Sequence, residues 1–309
     1  MEFVIAKSGG FCRGVQKAVD TAMSIDPQNT YIYGEIIHNK DVVNEITSRG
    51  IKTVEELSDV PEGATLIIRS HGVPKSVYEI CKSKGVEVVD CTCEFVRRTQ
   101  RIVSEKSSLG KTIVIIGEES HPEVIGLKGW CENEAFVFSS ETADFSLLTA
   151  KNVCVVAQTT FSAEKFEKII KNLQNKGEKT LEVFKTICYT TIGRQNETRE
   201  LAMQCDAMLV IGGLNSSNTN KLYEICCQYC KNVFRMKNCA DLNYKTIKRF
   251  KKVGIVTGAS TPNAQTQEVL LKMEKTEAKA TTVESMEEVV ANMDSQPKFK
   301  KGQLITATI

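Results

Sequence analysis

Short apolar runs rich in β-branched residues alternate along this chain with longer stretches whose apolar positions recur every three or four residues. TLIIRS is followed by VPKSVYEICKSKG, and TIVIIG by HPEVIGLKGW. A short unbroken apolar run fits a strand covered on both faces, and the longer periodic stretches fit amphipathic helices. The alternation predicts an α/β protein built of βαβ units with parallel sheets. In such sheets the ligand site lies where strands end and helices begin. No apolar stretch approaches the ~18 residues that a membrane-crossing helix needs. The N-terminus lacks the apolar core and cleavage site of a secretory leader.

Three patterns each occur three times, in the same order. The first is a strand-like run ending in a cysteine: FVIAKSGGFC to Cys12, VEVVDCTC to Cys93 and LEVFKTIC to Cys188. The second is an apolar run, a glycine, and a polar residue four positions later: Gly34 and His38, Gly117 and His121, Gly212 and Ser216. The third is an apolar run breaking into small polar residues around His71, Thr159 and Ser260. From cysteine to glycine the steps are 22, 24 and 24 residues, and from glycine to the third pattern, counted to His71, Thr159 and Ala259, they are 37, 42 and 47. Such agreement argues for three copies of one α/β unit, expected at 1–90, 91–185 and 186–281. The remaining 282–309 reads as a short acidic helix, a polar break at Asp294–Pro297 and the start of a new strand, a tail or linker.

Composition narrows the chemistry. A net charge of +2 over 309 residues gives no bulk attraction to nucleic acid or membrane. Twelve cysteines without a leader point to a reducing compartment, by default the cytoplasm, with free or metal-bound thiols. One lone cysteine per unit places three thiolates on a common axis. Structural zinc sites and ordinary electron-transfer clusters are closed by four ligands, usually in short paired spacings. Three leave one metal position open to substrate, where the metal acts as a Lewis acid. Cys91 competes with Cys93, but its longer step to Gly117 fits the repeat less well. Cys227 and Cys230 form a C-x2-C at a helix end with no second pair nearby, which reads as packing.

All three histidines, His38, His71 and His121, fall in the repeated patterns at strand ends. Neutral imidazole could ligate metal. Together with Ser216, Ser217, Asn218 and Ser260, the histidines better suit a phosphorylated ligand, because a buried diphosphate needs many donors. Gly9 to Gly14 has the step of a P-loop, but Val15 and Gln16 stand where its Lys and Ser/Thr belong. Glu123, two residues after His121, is a candidate proton donor, with Thr159 or Thr160 to orient it.

As an ordered set, GFCRGV, GEIIHN, SHGVP, DCTC, GEESHPEVIG, QTTFS, TICYTT, NSSNTNKL and GASTP resemble the 4-hydroxy-3-methylbut-2-enyl diphosphate reductases of the non-mevalonate isoprenoid pathway, over about residues 1–281. The resemblance implies three pseudo-threefold-related α/β domains around a central [4Fe-4S] cluster. It implies Cys12, Cys93 and Cys188 as metal ligands with one iron position open. Its diphosphate pocket maps onto His38, His71, His121, Ser216, Ser217, Asn218 and Ser260. Glu123 becomes the proton-relay acid, Thr159 its partner, and His121 part of the catalytic group. The implied reaction removes the allylic hydroxyl reductively and yields isopentenyl and dimethylallyl diphosphates, with ferredoxin or flavodoxin as electron donor. The chain departs from the family pattern after Cys93, where Glu94, Arg98 and Gln100 replace a proline, a lysine and a histidine. Glu94 there lowers the cluster's reduction potential or caps the helix. The tail PKFKKGQLITATI resembles the opening of an RNA-binding repeat of ribosomal small-subunit protein one, to which some bacterial reductases are fused. The rival readings are a non-catalytic iron–sulfur redox sensor and a structural zinc protein.

Overall fold

The computed structural model describes residues 1–175 and 180–275. The expected tail at 282–309 lies outside the described residues. The chain opens with β1 (Glu2–Ile5), and then a succession of helix, strand, helix, strand, strand, helix, strand runs twice, followed by a third pass that gains a short helix and ends on a helix. In the first pass these are α1 (Arg13–Ser24), β2 (Thr30–Tyr33), α2 (Lys40–Ser48), β3 (Lys52–Val54), β4 (Thr65–Ile68), α3 (Lys75–Ser83) and β5 (Glu87–Asp90). In the second they are α4 (Glu94–Ser108), β6 (Thr112–Ile116), α5 (Pro122–Lys128), β7 (Phe136–Phe138), β8 (Asn152–Ala157), α6 (Ala163–Gln174) and β9 (Thr180–Val183). The third has α7 (Tyr189–Gln204), β10 (Ala207–Ile211), α8 (Ser217–Tyr229), β11 (Val233–Met236), a short α9 (Tyr244–Ile247), β12 (Lys252–Thr257) and helical residues 263–275.

Three four-stranded sheets result, ordered β3-β2-β4-β5, β7-β6-β8-β9 and β11-β10-β12-β1, parallel throughout. The last order corrects the expected first unit. β1 lies within 1–90 but pairs with β12, from Glu2 opposite Lys252 to Ile5 opposite Ile255. β5 already occupies the edge of β4 that β1 would need, whereas the matching edge of β12 is free until β1 covers it. Phe3 accordingly packs on the third core, against residues such as Leu209 and Ile255.

The central strands carry the apolar runs. Every residue of β10, and all but the first of β4, β6, β8 and β12, is buried, as expected for strands covered by helices on both faces. Each sheet has an apolar cluster on either side. In the second unit Phe145, Phe161 and Phe166 are each 1% exposed, and burying such a side chain contributes roughly 1.5–3 kcal/mol. The strands' carboxyl ends converge on the middle of the molecule, and the loops that follow them build the site. Among the described residues no helix is long and apolar enough to cross a membrane.

Candidate active site

The outer strands β5, β9 and β1 each lead into a cysteine that is the N-cap of the next helix. Cys12 caps α1, Cys93 caps α4 and Cys188 caps α7, with extended backbone at Cys12 and Cys188. The tethers are equivalent as well. Cys12 N–H donates to the Ala259 carbonyl at 3.2 Å, Cys93 N–H to Ser70 at 3.0 Å and Cys188 N–H to Thr159 at 3.0 Å. Each cysteine is thus pinned to the loop after the neighbouring central strand. Gly14 faces Cys93 so closely that a Cβ there would lie 2.7 Å from the sulfur. Burial pushes the Cys93 thiol up to about 11, so it becomes a thiolate near neutrality only when a metal takes its proton's place.

The second pattern supplies another set of caps. His121 Nδ1 accepts the Glu123 N–H at 3.1 Å, and Ser216 Oγ accepts Thr219 N–H at 3.3 Å. In the first unit the cap moves one residue on, to Asn39, whose side chain accepts from Asp41 and Val42. That shift leaves His38 free to face the cavity. Asn39 Nδ2 also donates to the Ser260 carbonyl at 2.9 Å, and Ser260 Oγ to the His38 carbonyl at 3.3 Å. These two bonds join the first unit to the third.

All twelve residues marked from the sequence line one central cavity. The three cysteines line it together, the histidines and serines meet in it, and Glu123 and Thr159 lie on its wall. Ring centroids of His38 and His71 are 4.5 Å apart, of His71 and His121 5.5 Å, and of His38 and His121 5.8 Å. Their ring nitrogens come within 4.8 Å of one another, a spacing that could hold a cation. The hydrogen bond on His121 argues otherwise. A ring whose Nδ1 accepts a backbone N–H carries its own proton on Nε2, so the assigned tautomer offers the cavity a donor and not a lone pair. Burial pulls His121 down to about 3, His71 well below its ordinary value and His38 below it too, so neutral rings face the cavity. Glu35 Oε2 is 3.6 Å from His38 Nδ1, beyond hydrogen-bond reach.

Several buried polar atoms here have no partner: both nitrogens of His38, Nδ1 of His71, and Nδ2 and Oδ1 of Asn218. Buried polar groups are normally satisfied, so this cluster is complementary to a polar ligand. Ser217 is held ready by Gln158, whose Nε2 donates to Ser217 Oγ at 3.1 Å and to Thr160 Oγ1 at 2.8 Å. Glu123 is 1% exposed. Its two oxygens accept the Thr159 N–H at 2.6 Å and the Thr159 hydroxyl at 2.7 Å. Burial pushes its pKa up to about 7 against these two hydrogen bonds, which pull it down.

The departures after Cys93 fall into place. Glu94 begins α4, is exposed and lies 3.7 Å from exposed Arg13, which offsets its charge. Arg98 faces solvent. Gln100 is buried, with its amide against Gly72 beside His71. Cys91 is 1% exposed within the apolar cluster around Ala18. Cys230 directs its sulfur at backbone carbonyls, and Cys227 is exposed. Asn39, Gln158 and Arg194 also shape the cavity and were not marked from the sequence. Arg194 meets marked residues only in three dimensions; Gln158 directly precedes Thr159, and Asn39 had a signal, since an Asn before a periodic stretch is a cap.

A family model described as LytB protein matches residues 3–274. A protein of Thermoanaerobacter sp. (strain X514), named 4-hydroxy-3-methylbut-2-enyl diphosphate reductase, is 41% identical over 279 residues, 88% of this chain and 96% of its own length. A relative of the same name in Clostridium acetobutylicum is 35% identical over 313 residues, covering 99% of this chain but 49% of its own length. Among solved structures, that of the E-1-hydroxy-2-methyl-but-2-enyl-4-diphosphate reductase from Plasmodium falciparum superposes with a TM-score of 0.80 at 28% identity, covering 87% of this chain and 86% of that one. With a match running from the first strand to the last described helix, the chain belongs to the LytB protein family.

Proposed function

We propose that this chain reductively removes the allylic hydroxyl of (E)-4-hydroxy-3-methylbut-2-enyl diphosphate, giving isopentenyl and dimethylallyl diphosphates. The observation that carries this is one cavity with three thiols, a set of unsatisfied polar groups, and a buried carboxyl with its pKa near 7. A sensor needs only the first of these.

The donor set fits an iron–sulfur cluster: three cysteines at helix N-termini, with a glycine that leaves room beside Cys93. Cys12, Cys93 and Cys188 would hold a [4Fe-4S] cluster, which would pass the electrons to the substrate and, at an iron left without a protein ligand, would supply Lewis acidity. The protein's own residues do the rest. His38, His71 and His121 surround the diphosphate with Ser216, Ser217, Asn218 and Ser260, which fixes the carbon skeleton and removes the entropy of finding it. Neutral rings give directed N–H donors here without self-repulsion.

Glu123 delivers the proton. A carboxyl with a pKa near 7 is about half protonated at neutral pH and is matched to its task. Protonating the departing oxygen lets it leave as water, since hydroxide is a poor leaving group. Thr159 holds the acid in place and stabilises the carboxylate left behind. The balance is two electrons and two protons in, one C–O bond broken, one C–H bond formed on the allyl skeleton with the second proton, and one water out.

The cysteines also border an outer recess with Arg13, Lys17, Arg97 and Arg101, a surface that suits an acidic one-electron donor such as ferredoxin or flavodoxin. We assign the protein to the cytoplasm and its tail to the start of an RNA-binding repeat. Anaerobic isolation tests the reading. Brown protein with iron and sulfide in equal amounts, lost when Cys12, Cys93 or Cys188 becomes Ser, is expected; colourless protein with zinc alone would contradict it.

A further inference from the structure

Helix α7 turns an unusual face inward. Thr191, Arg194, Gln195 and Thr198 are all buried on it. Gln195 is satisfied: its amide donates to the Phe161 carbonyl at 3.1 Å and accepts from Ala163 N–H at 3.2 Å. Arg194 is 3% exposed and less well matched. Nη2 donates to the Gly10 carbonyl at 2.7 Å and Nη1 to the Thr257 carbonyl at 3.0 Å, while buried Nε has no partner. Of the described residues lining the central cavity it is the only arginine or lysine.

Carbonyl dipoles orient a guanidinium, but a buried full charge calls for an anion. The groups whose charge bears on Arg194 are Cys12 first, then Glu197 and Cys188. The Glu197 carboxylate is engaged elsewhere, by Lys7 N–H at 2.6 Å, Ser8 N–H at 3.0 Å and the Ser8 hydroxyl. The two cysteines are left as the natural partners.

The repeat makes the position distinctive. Six residues after Cys12 stands Ala18, and six after Cys93 stands Thr99, each 0% exposed. Six after Cys188 stands Arg194. Two of the three mounts fill this place with a small neutral side chain, and one fills it with a cation.

We propose that Arg194 is the counter-cation of the cluster mount, offsetting the negative charge that three thiolates and their cluster bring into the cavity and raising the cluster's reduction potential. The proposal rests on the assignment of Cys12, Cys93 and Cys188 as ligands. Reduction adds negative charge, and a fixed cation across a low-dielectric gap favours the reduced state. Its fork also braces the Cys12 loop, because Gly10, whose carbonyl it holds, donates its N–H to Thr257 Oγ1 at 3.0 Å. A brace needs only the hydrogen bonds; a counter-cation needs the charge.

Anaerobic redox titration of the loaded wild type, R194K and R194Q separates the two roles, with thermal melts of the cluster-free proteins alongside. Both variants lose the fork and melt lower. R194Q is expected to shift to a more negative potential, while R194K, which keeps the charge, stays near wild type. A loaded R194Q with the wild-type potential overturns the proposal. Where R194Q takes up no cluster, R194K decides: a loaded protein of wild-type potential supports the proposal, and a lowered potential or an empty mount overturns it. A wild type that takes up no cluster refutes the ligand assignment itself, before any variant is compared.

Discussion

Glu123→Gln separates the chemistry of this site from its architecture. Glutamine keeps the shape of the side chain. Its carbonyl oxygen can still accept the Thr159 N–H, and its amide can donate to the Thr159 hydroxyl, which reverses its role from donor to acceptor. Both contacts survive, so the fold loses no more than about 1 kcal/mol. The proton is lost, and a positioned general acid contributes roughly 10²–10⁴ in rate. E123Q therefore retains its cluster and binds substrate, with kcat down by at least about 10²-fold. Stability gives a second, independent readout. The folded pKa of Glu123 is raised from 4.5 to about 7. Between those values the folded state keeps a proton that the unfolded state has released, so wild-type stability falls as pH rises through that window. A shift of this size corresponds to about 3 kcal/mol. Melts or urea titrations of the cluster-free proteins from pH 5 to 8 should show E123Q gaining on wild type by a few kcal/mol as pH rises. Turnover within a few-fold of wild type, or parallel pH–stability curves, would refute the assignment of Glu123 as a buried neutral acid.

Other substitutions probe the remaining parts. Asn218 has both polar atoms buried and unpaired, so N218A should leave the melting temperature unchanged or higher and weaken diphosphate binding by ~1–3 kcal/mol, roughly 5- to 150-fold; an unchanged Kd by calorimetry speaks against its role in the pocket. Gly14→Ala puts a Cβ 2.7 Å from Cys93 Sγ. In the cluster-free protein the shift this contact forces on Cys93 offsets the ~1 kcal/mol of helix propensity gained, and iron should be lost to a chelator faster; equal iron loss means the close approach is immaterial. Phe166, 1% exposed in the second core, should lower stability by about 3–5 kcal/mol on truncation to Ala, and a loss under 1 kcal/mol in urea titration would contradict the packing.

Local signals made much of this architecture legible. The apolar runs of β6, β8, β10 and β12 are too long and too uniformly apolar to be half-exposed, and they are the buried centres of their sheets. The threefold repeat marked the cysteines and strand-end polar residues that the fold brings into one cavity. What escaped depends on which surfaces meet. β1 looks like the first strand of the first unit, but edge pairing is decided by which edge is left open, and here that edge belongs to a strand some 250 residues away. Arg194 reads as an ordinary helix residue until the turn of α7 brings it to the central cavity, held by the Gly10 and Thr257 carbonyls. Gln158 looks like a strand terminus, and only its reach to Ser217 shows that it sets part of the pocket.

In the proposed reaction one cavity removes an allylic hydroxyl with two electrons and an internal proton. The direct measurement is an anaerobic assay of (E)-4-hydroxy-3-methylbut-2-enyl diphosphate with a low-potential reductant, following both products and the electrons consumed. Isopentenyl and dimethylallyl diphosphates should form together, with two electrons consumed for each substrate lost, from cluster-loaded protein only. Loaded protein that takes up electrons but leaves the diphosphate intact, or turnover by the cluster-free chain, would contradict it.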